Sequence, residues 1–481
     1  MISLIVSIGI LLIGYKLYGT VVERVFGIDP DKSTPAVSKA DGVDYVPMPQ
    51  WKVFLIQFLN IAGLGPIFGA VAGALWGPIS FLWIVLGSLF AGGVHDYFSG
   101  MLSLRHDGKS ISEISGHYLG ERVKQFMSFF TVFLLIMVGA VFLIGPAKIL
   151  AESTKDTIGL EVWILIILFY YILSTVLPID KIIGKIYPLF GIALILMSLT
   201  LLGYLFVEQL EVPELTWANL TNTHYDAEDF PIFPMLFITI ACGAVSGFHA
   251  TQSPLMARCI SNERQGKRIF YGTMVTEGVV ALIWAAISMS FFGGIKELNL
   301  EMANNNDNVT LIVHHICNAL GGLGAILAIL GVVAAPITSG DTSFRSARLI
   351  IADFLKSDQK PIKNRLLISV PLFVVGYLLV HLNFGVIWRY FAWANQTLAT
   401  IVLWTITVYL VKKSKLYWIS LVPALFMTMV VTTYIFFAPE GFSISYEYSF
   451  PTGAIITIVI FLLFERWRAR LKKEKKIPAK I

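Results

Sequence analysis

The chain has 481 residues, of which 56% are hydrophobic and 14% are charged, and its formal net charge is +5. Soluble globular proteins carry about 25% charged residues, so this composition excludes a soluble protein and predicts an all-α polytopic membrane protein. The three cysteines include no CxxC pair, so we expect neither a disulfide framework nor a cysteine-based metal site.

Thirteen apolar stretches approach the ~20 residues that a membrane-spanning helix needs. In chain order they cover 2–18, 53–76, 79–103, 125–150, 160–178, 187–207, 232–256, 270–293, 316–338, 366–382, 386–411, 416–437 and 452–465. The first has no basic segment before it and no small-residue cleavage site after it. It is therefore predicted to be a retained helix and not a cleaved signal peptide.

The positions of the Lys and Arg residues predict how these spans are oriented across the membrane. The C-terminal segment 466–481 is strongly basic, which predicts a cytoplasmic C-terminus, and thirteen spans then put the N-terminus outside. With this orientation the cytoplasmic segments hold 32 of the 36 Lys and Arg residues, and the external loop 208–231 holds none. The bias supports both the span count and a location in the cell (inner or plasma) membrane.

Span 2 is interrupted by the stretch NIAGLGPIFG, residues 60–69. Gly63 and Gly65 permit an unwound turn, and Pro66 suits the first turn of a new half-helix. The N–H groups just after it, near Ile67, would form an anion-binding end. The alternative is close helix packing through small residues.

Span 7 is interrupted by ACGAVSGFHATQSPL, residues 241–255, and can open in the same way at Ser246 and Gly247. A substrate carboxylate would then meet the half-helix N-terminus at Gly247–His249. For Asn60 and Gln57, contact with substrate and an interhelical hydrogen bond are the two alternatives. The residues predicted to bind substrate are Asn60, Gly63, Gly65, Pro66, Ile67, Ser246, Gly247, His249 and Gln252.

The two interrupted spans are five helices apart and run in opposite directions. Matched breaks of this kind are the sequence feature of inverted-repeat transporters, and they mark the binding site. The sequence therefore predicts a 5+5 inverted repeat. The predicted segments are an extra helix with a cytoplasmic loop (1–52), the first repeat (53–207), an acidic external loop (208–231), the second repeat (232–412), two additional helices (413–465) and the basic tail (466–481).

Ionisable side chains within or beside spans are costly and indicate function by default. Those predicted to form a proton-coupling group or a cytoplasmic gate are Asp96, His249, Glu277, Asp341 and Arg345. His95 stands beside Asp96 and can orient its carboxylate. For each of these residues a static ion pair or a helix-tying hydrogen bond is the alternative.

Several long blocks in order, among them TPAVSKADGVDYVP (34–47), AGLGPIFG (62–69), ITIACGAVSGFHATQSPLMAR (238–258) and WANQTLA (393–399), resemble the carbon starvation protein A family. The resemblance implies a leucine-transporter-type fold within the amino-acid–polyamine–cation superfamily, and uptake of peptides or pyruvate when preferred carbon is scarce. It also implies a candidate sodium site at Ala62, Thr338 and Ser339, for which helix-end capping by the hydroxyls is the alternative.

The sequence predicts a secondary active transporter that imports small carboxylate-bearing nutrients, short peptides or pyruvate, by cation-coupled alternating access. The alternatives are an ion channel and a membrane nutrient receptor. Enzyme motifs such as HExxH and GxSxG are absent from the sequence, so we expect no enzyme. We expect no cofactor or metal, H⁺ or Na⁺ as the coupling ion, a peptide or 2-oxo acid and membrane lipid as partners, and no nucleic acid.

Overall fold

The structure is a computed structural model that describes residues 1–42, 44–154, 157–177, 179–382 and 384–476. Helices and connecting loops make up these residues, and none of the described residues lies in a β-strand. Two parts of the predictions fall outside the description: Lys155, one of the four predicted external charges, and residues 477–481 at the end of the basic tail.

Most of the helices follow one another with short connections, and two longer connections cover residues 27–49 and 208–231. In chain order they are α1 Ile2–Phe26, α2 Gln50–Ile61, α3 Gly65–Trp76, α4 Ile79–Arg105, α5 Ile111–Leu119, α6 Glu121–Ser153, α7 Leu160–Val176, α8 Ile179–Val207, α9 Ile232–Leu236 continued by Phe237–Thr239, α10 Gly247–Ala257, α11 Glu263–Phe291, α12 Ile295–Asn304, α13 Val309–Ala319, α14 Gly322–Leu355, α15 Ile362–Leu379, α16 Phe384–Lys412, α17 Trp418–Phe437 and α18 Tyr446–Lys476. Short single turns occupy Pro35–Ser38 and Trp217–Asn219.

Ten helices in the described part of the chain are long and apolar enough to cross a membrane, or eleven if the bent pair α2–α3 is one span. The protein is therefore a multi-pass membrane protein. The predicted spans 160–178 and 232–256 correspond to α7, which has 17 residues, and to the broken pair α9–α10. The total of thirteen spans and the inverted repeat stay predictions.

The predicted bounds of span 9 are wrong. The stretch 316–338 covers the end of α13 and the start of α14. Helix α14 has 34 residues and ends only at Leu355. Asp341 and Arg345 were expected to follow the span, yet both are buried inside α14. The sequence suggested a helix end because these charges lower the local hydropathy, whereas contacts with other helices satisfy them.

Of the half-helices around the breaks, α3 and α10 lie at the centre of the bundle. Every residue of α10 is buried, and this helix packs against α2, α4 and α16. Helix α11 covers α3, while α14 lies along α6. At the periphery, α1 and α18 expose much of their apolar surface. The arrangement encloses the interrupted backbone in protein, which is where a membrane protein tolerates it.

Candidate functional site

The two helix breaks meet at the centre of the molecule. The α2–α3 pair bends by 53° across residues 62–64, and the chain is non-helical from 240 to 246 between α9 and α10. Both predicted interruptions are thus confirmed. A Cβ atom added to Gly65 would lie 2.3 Å from the Cβ and Sγ atoms of Cys242. The missing side chain at Gly65 therefore lets the two breaks touch.

Side chains of α4 satisfy part of the unwound backbone at the second break. The Trp83 indole N–H donates to the carbonyl of Ile240 at 2.9 Å, and the Ser88 hydroxyl donates to the carbonyl of Gly243 at 2.9 Å. An unpaired carbonyl in a membrane interior costs several kcal/mol. These two bonds explain how the broken span persists there.

The anion-binding end predicted at the start of α3 is not formed as expected. The N–H groups of Ile67 and Phe68 both donate to the carbonyl of Leu64, at 3.2 and 2.7 Å. Gly65 and Pro66 form the first turn of α3, as predicted, but this turn closes on the residue before it. The expectation of free donors near Ile67 was therefore wrong.

At the start of α10 a protein side chain occupies the predicted carboxylate position. The Phe248 N–H donates to Asn395 Oδ1 at 2.7 Å, and the Ser246 hydroxyl donates to the same oxygen at 3.1 Å. A Cβ at Gly247 would lie 2.4 Å from the Asn395 carbonyl, so this glycine permits the close approach of α16. The His249 N–H donates to the Ser246 carbonyl at 3.3 Å.

Asn395 is the residue of this site that the sequence analysis missed. It lies within the predicted span 386–411, next to Gln396, whose amide donates to the carbonyl of Phe237 in α9 at 3.1 Å. Two adjacent amides in a spanning helix were the available signal. Their targets are about 150 residues away in the chain, and sequence spacing alone does not reveal such contacts.

The structure brings four ionisable side chains together beside the second break, all with no exposed surface. Asp96 accepts hydrogen bonds from Nδ1 of His95 at 2.7 Å and from Nδ1 of His249 at 2.8 Å. The opposite ring nitrogen, Nε2 of His249, lies 3.4 Å from a carboxylate oxygen of Glu277. His249 thus bridges Asp96 and Glu277, and His95 contacts the other oxygen of Asp96.

Asp341 and Arg345 form a separate group. Asp341 accepts hydrogen bonds from the hydroxyls of Ser174 and Tyr187, both at 2.6 Å. Arg345 donates to the Ser174 carbonyl at 3.0 Å and lies 3.9 Å from Asp44. This group joins α14 to α7 and α8. None of its described contacts reaches the carboxylates bridged by His249.

The candidate sodium site is brought together in part. The Ser339 hydroxyl donates to the carbonyl of Leu59, near the end of α2, at 3.0 Å. A hydroxyl of α14 therefore does meet the first broken helix, as the family resemblance implies. Thr338 donates instead to carbonyls of its own helix, at 2.8 and 3.0 Å. Ala62 lies in the unwound turn itself.

Three buried amide side chains near the breaks have polar atoms without a hydrogen-bond partner among the described residues. Both amide atoms of Asn60 and of Gln57 are in this state, as is the carbonyl oxygen of Gln252, whose NH₂ group donates to Thr251 at 2.9 Å. Buried polar groups are normally paired. Unsatisfied amides on α2 and α10 are therefore candidate substrate contacts.

One further grouping was not expected from the sequence. Cys242 in the second break, His249 on α10 and Glu277 on α11 place ligand-type atoms within 4.8 Å of one another. These residue types hold transition metals in other proteins. The trio was missed because its members lie on three elements and show no motif spacing.

A protein-family model matches this chain. The family model described as "Carbon starvation protein CstA" matches residues 1–209, 157–319 and 289–434, which together cover most of the chain.

Three relatives illustrate the range of similarity. An "uncharacterized membrane protein" of Haemophilus influenzae is 45% identical over 330 residues, covering 59% of this chain and 89% of the relative. The "Peptide transporter CstA" of Campylobacter jejuni is 26% identical over 89% of this chain and 79% of its own length. The "Pyruvate/proton symporter BtsT" of Escherichia coli is 30% identical over 58% of this chain, but only 47% of its own length is matched.

Solved structures share the fold at low sequence identity. A manganese transporter of Eremococcus coleocola has a TM-score of 0.54 at 14% identity, with 90% of this chain and 98% of that chain covered. MhsT, solved in complex with L-phenylalanine, has a TM-score of 0.57 at 14% identity, with 86% and 98% covered. The likeness shows that this chain shares the fold of these two proteins.

Proposed function

The chain belongs to the carbon starvation protein CstA family, and on that premise we propose that it is a secondary active transporter importing short peptides or pyruvate by cation-coupled alternating access. The observation that carries the proposal is the buried group Asp96–His249–Glu277, placed against two touching helix breaks. Relatives in the family are named a peptide transporter and a pyruvate/proton symporter.

The substrate site we propose lies between the two breaks. Asn60 on α2 and Gln252 on α10 supply buried amides, and His249 supplies an imidazole, all with no exposed surface. A substrate can reach side chains so deeply buried only if helices around the breaks move. Movement that exposes such a central site to one membrane face at a time is alternating access.

We propose protons as the coupling ion. His249 contacts one carboxylate through each ring nitrogen, so a proton gained or lost there changes both contacts at once. Histidine is suited to this role because its ordinary pKa lies near neutrality. Sodium at Ser339, Thr338 and Ala62 is the alternative, supported by the bond from Ser339 to Leu59 and by the preference of hard cations for oxygen ligands.

The finer architecture is part of the same proposal. Thirteen spans form a 5+5 inverted repeat of 53–207 and 232–412, flanked by the segments 1–52, 413–465 and 466–481 and divided by the loop 208–231. The N-terminus lies outside and the C-terminus in the cytoplasm. The paired breaks support this arrangement, since half-helices in matching positions of two repeats are the hallmark of such transporters.

The test is uptake of labelled short peptides and labelled pyruvate into proteoliposomes, driven by an imposed pH gradient or an imposed sodium gradient. We expect accumulation under the pH gradient. Glu277→Gln and Asp96→Asn should each lose gradient-driven accumulation while substrate exchange in the absence of a gradient is retained. Asp229→Asn, an isosteric loss of charge on the exposed loop 208–231, is the control and should transport normally.

Failure of both gradients to drive any of these substrates would overturn coupled transport. Accumulation under sodium alone would move the coupling to Ser339 and Thr338. The channel alternative is not favoured, because relatives and structural neighbours are named as transporters. Single-channel currents through the reconstituted protein would bring it back.

A further inference from the structure

Three side chains beside the second break form a compact set of metal-ligand atoms. Cys242 is 1% exposed, and His249 and Glu277 are completely buried. Their sulfur, nitrogen and oxygen atoms lie within 4.8 Å of one another. A thiolate, an imidazole and a carboxylate are the ligand types of zinc-class sites, which often have three protein ligands and one open position.

His249 and Glu277 contact each other as an ion pair but without hydrogen-bond geometry. Nε2 of His249 and both carboxylate oxygens of Glu277 have no hydrogen-bond partner within the part of the chain that the structure describes. The nearest approach between them, 3.4 Å, is close to the spacing of about 3.3 Å expected for N and O ligands on a tetrahedral ion with ~2.0 Å bonds. Buried acceptors of this kind normally have a partner.

The environment of His249 orients it for metal binding. Nδ1 of the ring donates to Asp96 at 2.8 Å, which leaves Nε2 as the nitrogen with a free lone pair. A carboxylate bonded to the far nitrogen of a metal-binding histidine is the usual supporting contact in zinc sites. His95 holds the other Asp96 oxygen at 2.7 Å, so the supporting carboxylate is itself fixed.

We propose that Cys242, His249 and Glu277 bind a divalent transition-metal ion of the zinc class, with the fourth position open toward the breaks. A cation of charge +2 offsets two of the three negative charges of a thiolate and two carboxylates in the buried interior, where unbalanced charge is costly. The ion reaches the site through the same helix movement that a substrate requires. The site shares His249 and Glu277 with the proposed proton coupling, so a bound ion and the coupling proton exclude each other at Nε2 of His249. Ion binding itself does not require transport.

The test uses the full-length chain, with any affinity tag removed, purified in detergent and free of metal. Cobalt(II) titration should give one ion per chain and a near-ultraviolet thiolate-to-cobalt charge-transfer band that zinc abolishes. Cys242→Ser should remove the band and weaken binding at least about tenfold. Asp96→Asn should keep the band but weaken binding by about 10–100-fold, the effect of losing a supporting carboxylate.

Two matched controls replace the other two cysteines by serine. Cys259→Ser and Cys317→Ser also alter buried free cysteines and should keep the band. A band that survives in Cys242→Ser, or no band in the unaltered chain, would overturn the proposal.

A second measurement does not depend on any variant folding. X-ray absorption of the zinc-loaded, unaltered chain should show one sulfur at about 2.3 Å among nitrogen and oxygen ligands. A shell without sulfur would refute the site. Neither experiment uses a gradient or a nutrient, so failure of transport leaves these results unchanged.

Discussion

Gly65 has no room for a side chain. The first added carbon would lie 2.3 Å from both Cβ and Sγ of Cys242, which is far inside van der Waals contact. Gly65→Ala should therefore separate the two breaks and impair uptake, with an overpacking cost of about 1–3 kcal/mol. The measurements are the thermal unfolding midpoint and initial uptake rate in the same preparation.

Substitutions of Cys242, the residue with which a side chain at position 65 would clash, provide the control for this prediction. Cys242→Gly removes both clashing atoms, so adding it to Gly65→Ala should restore part of the stability and uptake relative to Cys242→Gly alone. Cys242→Ala keeps the Cβ atom and should not restore them. Equal effects of Gly65→Ala in all three backgrounds would mean that the contact between the breaks does not matter.

Asn395 closes the N-terminus of α10 in the place where a substrate carboxylate was expected. Its oxygen accepts from the Phe248 N–H and the Ser246 hydroxyl. Asn395→Leu has a similar volume but leaves both donors buried without an acceptor, at a cost of about 1–3 kcal/mol. Asn395→Asp retains an oxygen there, and a negative charge is favourable at a helix N-terminus.

We therefore expect a lower unfolding midpoint for Asn395→Leu and a midpoint near that of the unaltered chain for Asn395→Asp. If the two variants are equally destabilised, the side chain acts through its packing and not through its oxygen. Uptake separates the roles further, because a purely structural Asn395 leaves substrate affinity unchanged in the Asp variant.

Helices α1, α4 and α11 are tied together at one end of the bundle, which the sequence predicts to be cytoplasmic. Arg105 at the end of α4 makes two hydrogen bonds to the buried carboxylate of Glu263 at the start of α11, at 3.0 and 2.9 Å, and donates to the carbonyl of Gly27 at 2.6 Å. The same carboxylate accepts the N–H of Asp29 at 2.7 Å. The group joins α4 and α11 to the segment that follows α1.

Glu263→Gln should loosen this end, because removing one partner of a largely buried ion pair leaves the other uncompensated. Hydrogen exchange should rise at the end of α4 and the start of α11, while α14 and α16 stay protected. Exchanging the partners, Arg105→Glu with Glu263→Arg, is the control and should reverse part of the increase. Unchanged exchange in Glu263→Gln would show that the pair does not hold the helices together.

The sequence was informative about helix breaks and weak about helix ends. Gly63, Gly65 and Pro66 act through local backbone preferences, which sequence reveals directly. The end of α14 at Leu355 was missed because Asp341 and Arg345 are satisfied by α7 and other distant segments. Contacts between distant segments also limited the prediction of the site. The sequence singled out His249, but it could not show that His249 contacts Asp96 and Glu277 or that Asn395 contacts the start of α10.

For the molecule as a whole, the decisive quantity is the number of membrane crossings. Helix α7 is the critical case, since 17 residues at 1.5 Å per residue give about 26 Å, slightly less than the ~30 Å hydrocarbon core. If α7 and α8 both cross, the loop before α7 and the loop after α8 lie on the same side. If only α8 crosses, they lie on opposite sides.

Single cysteines at Thr157 and Thr216 distinguish these cases, read with a membrane-impermeant thiol reagent on whole cells. With thirteen spans, Thr157→Cys and Thr216→Cys should both be labelled from outside, whereas Ser357→Cys and Ser414→Cys should react only after permeabilisation. The three native cysteines are buried, and they are replaced by serine so that helix movement at the breaks exposes no other thiol. Labelling of Thr216→Cys but not Thr157→Cys from outside would remove α7 from the spans, and with it the proposed symmetry between the two repeats.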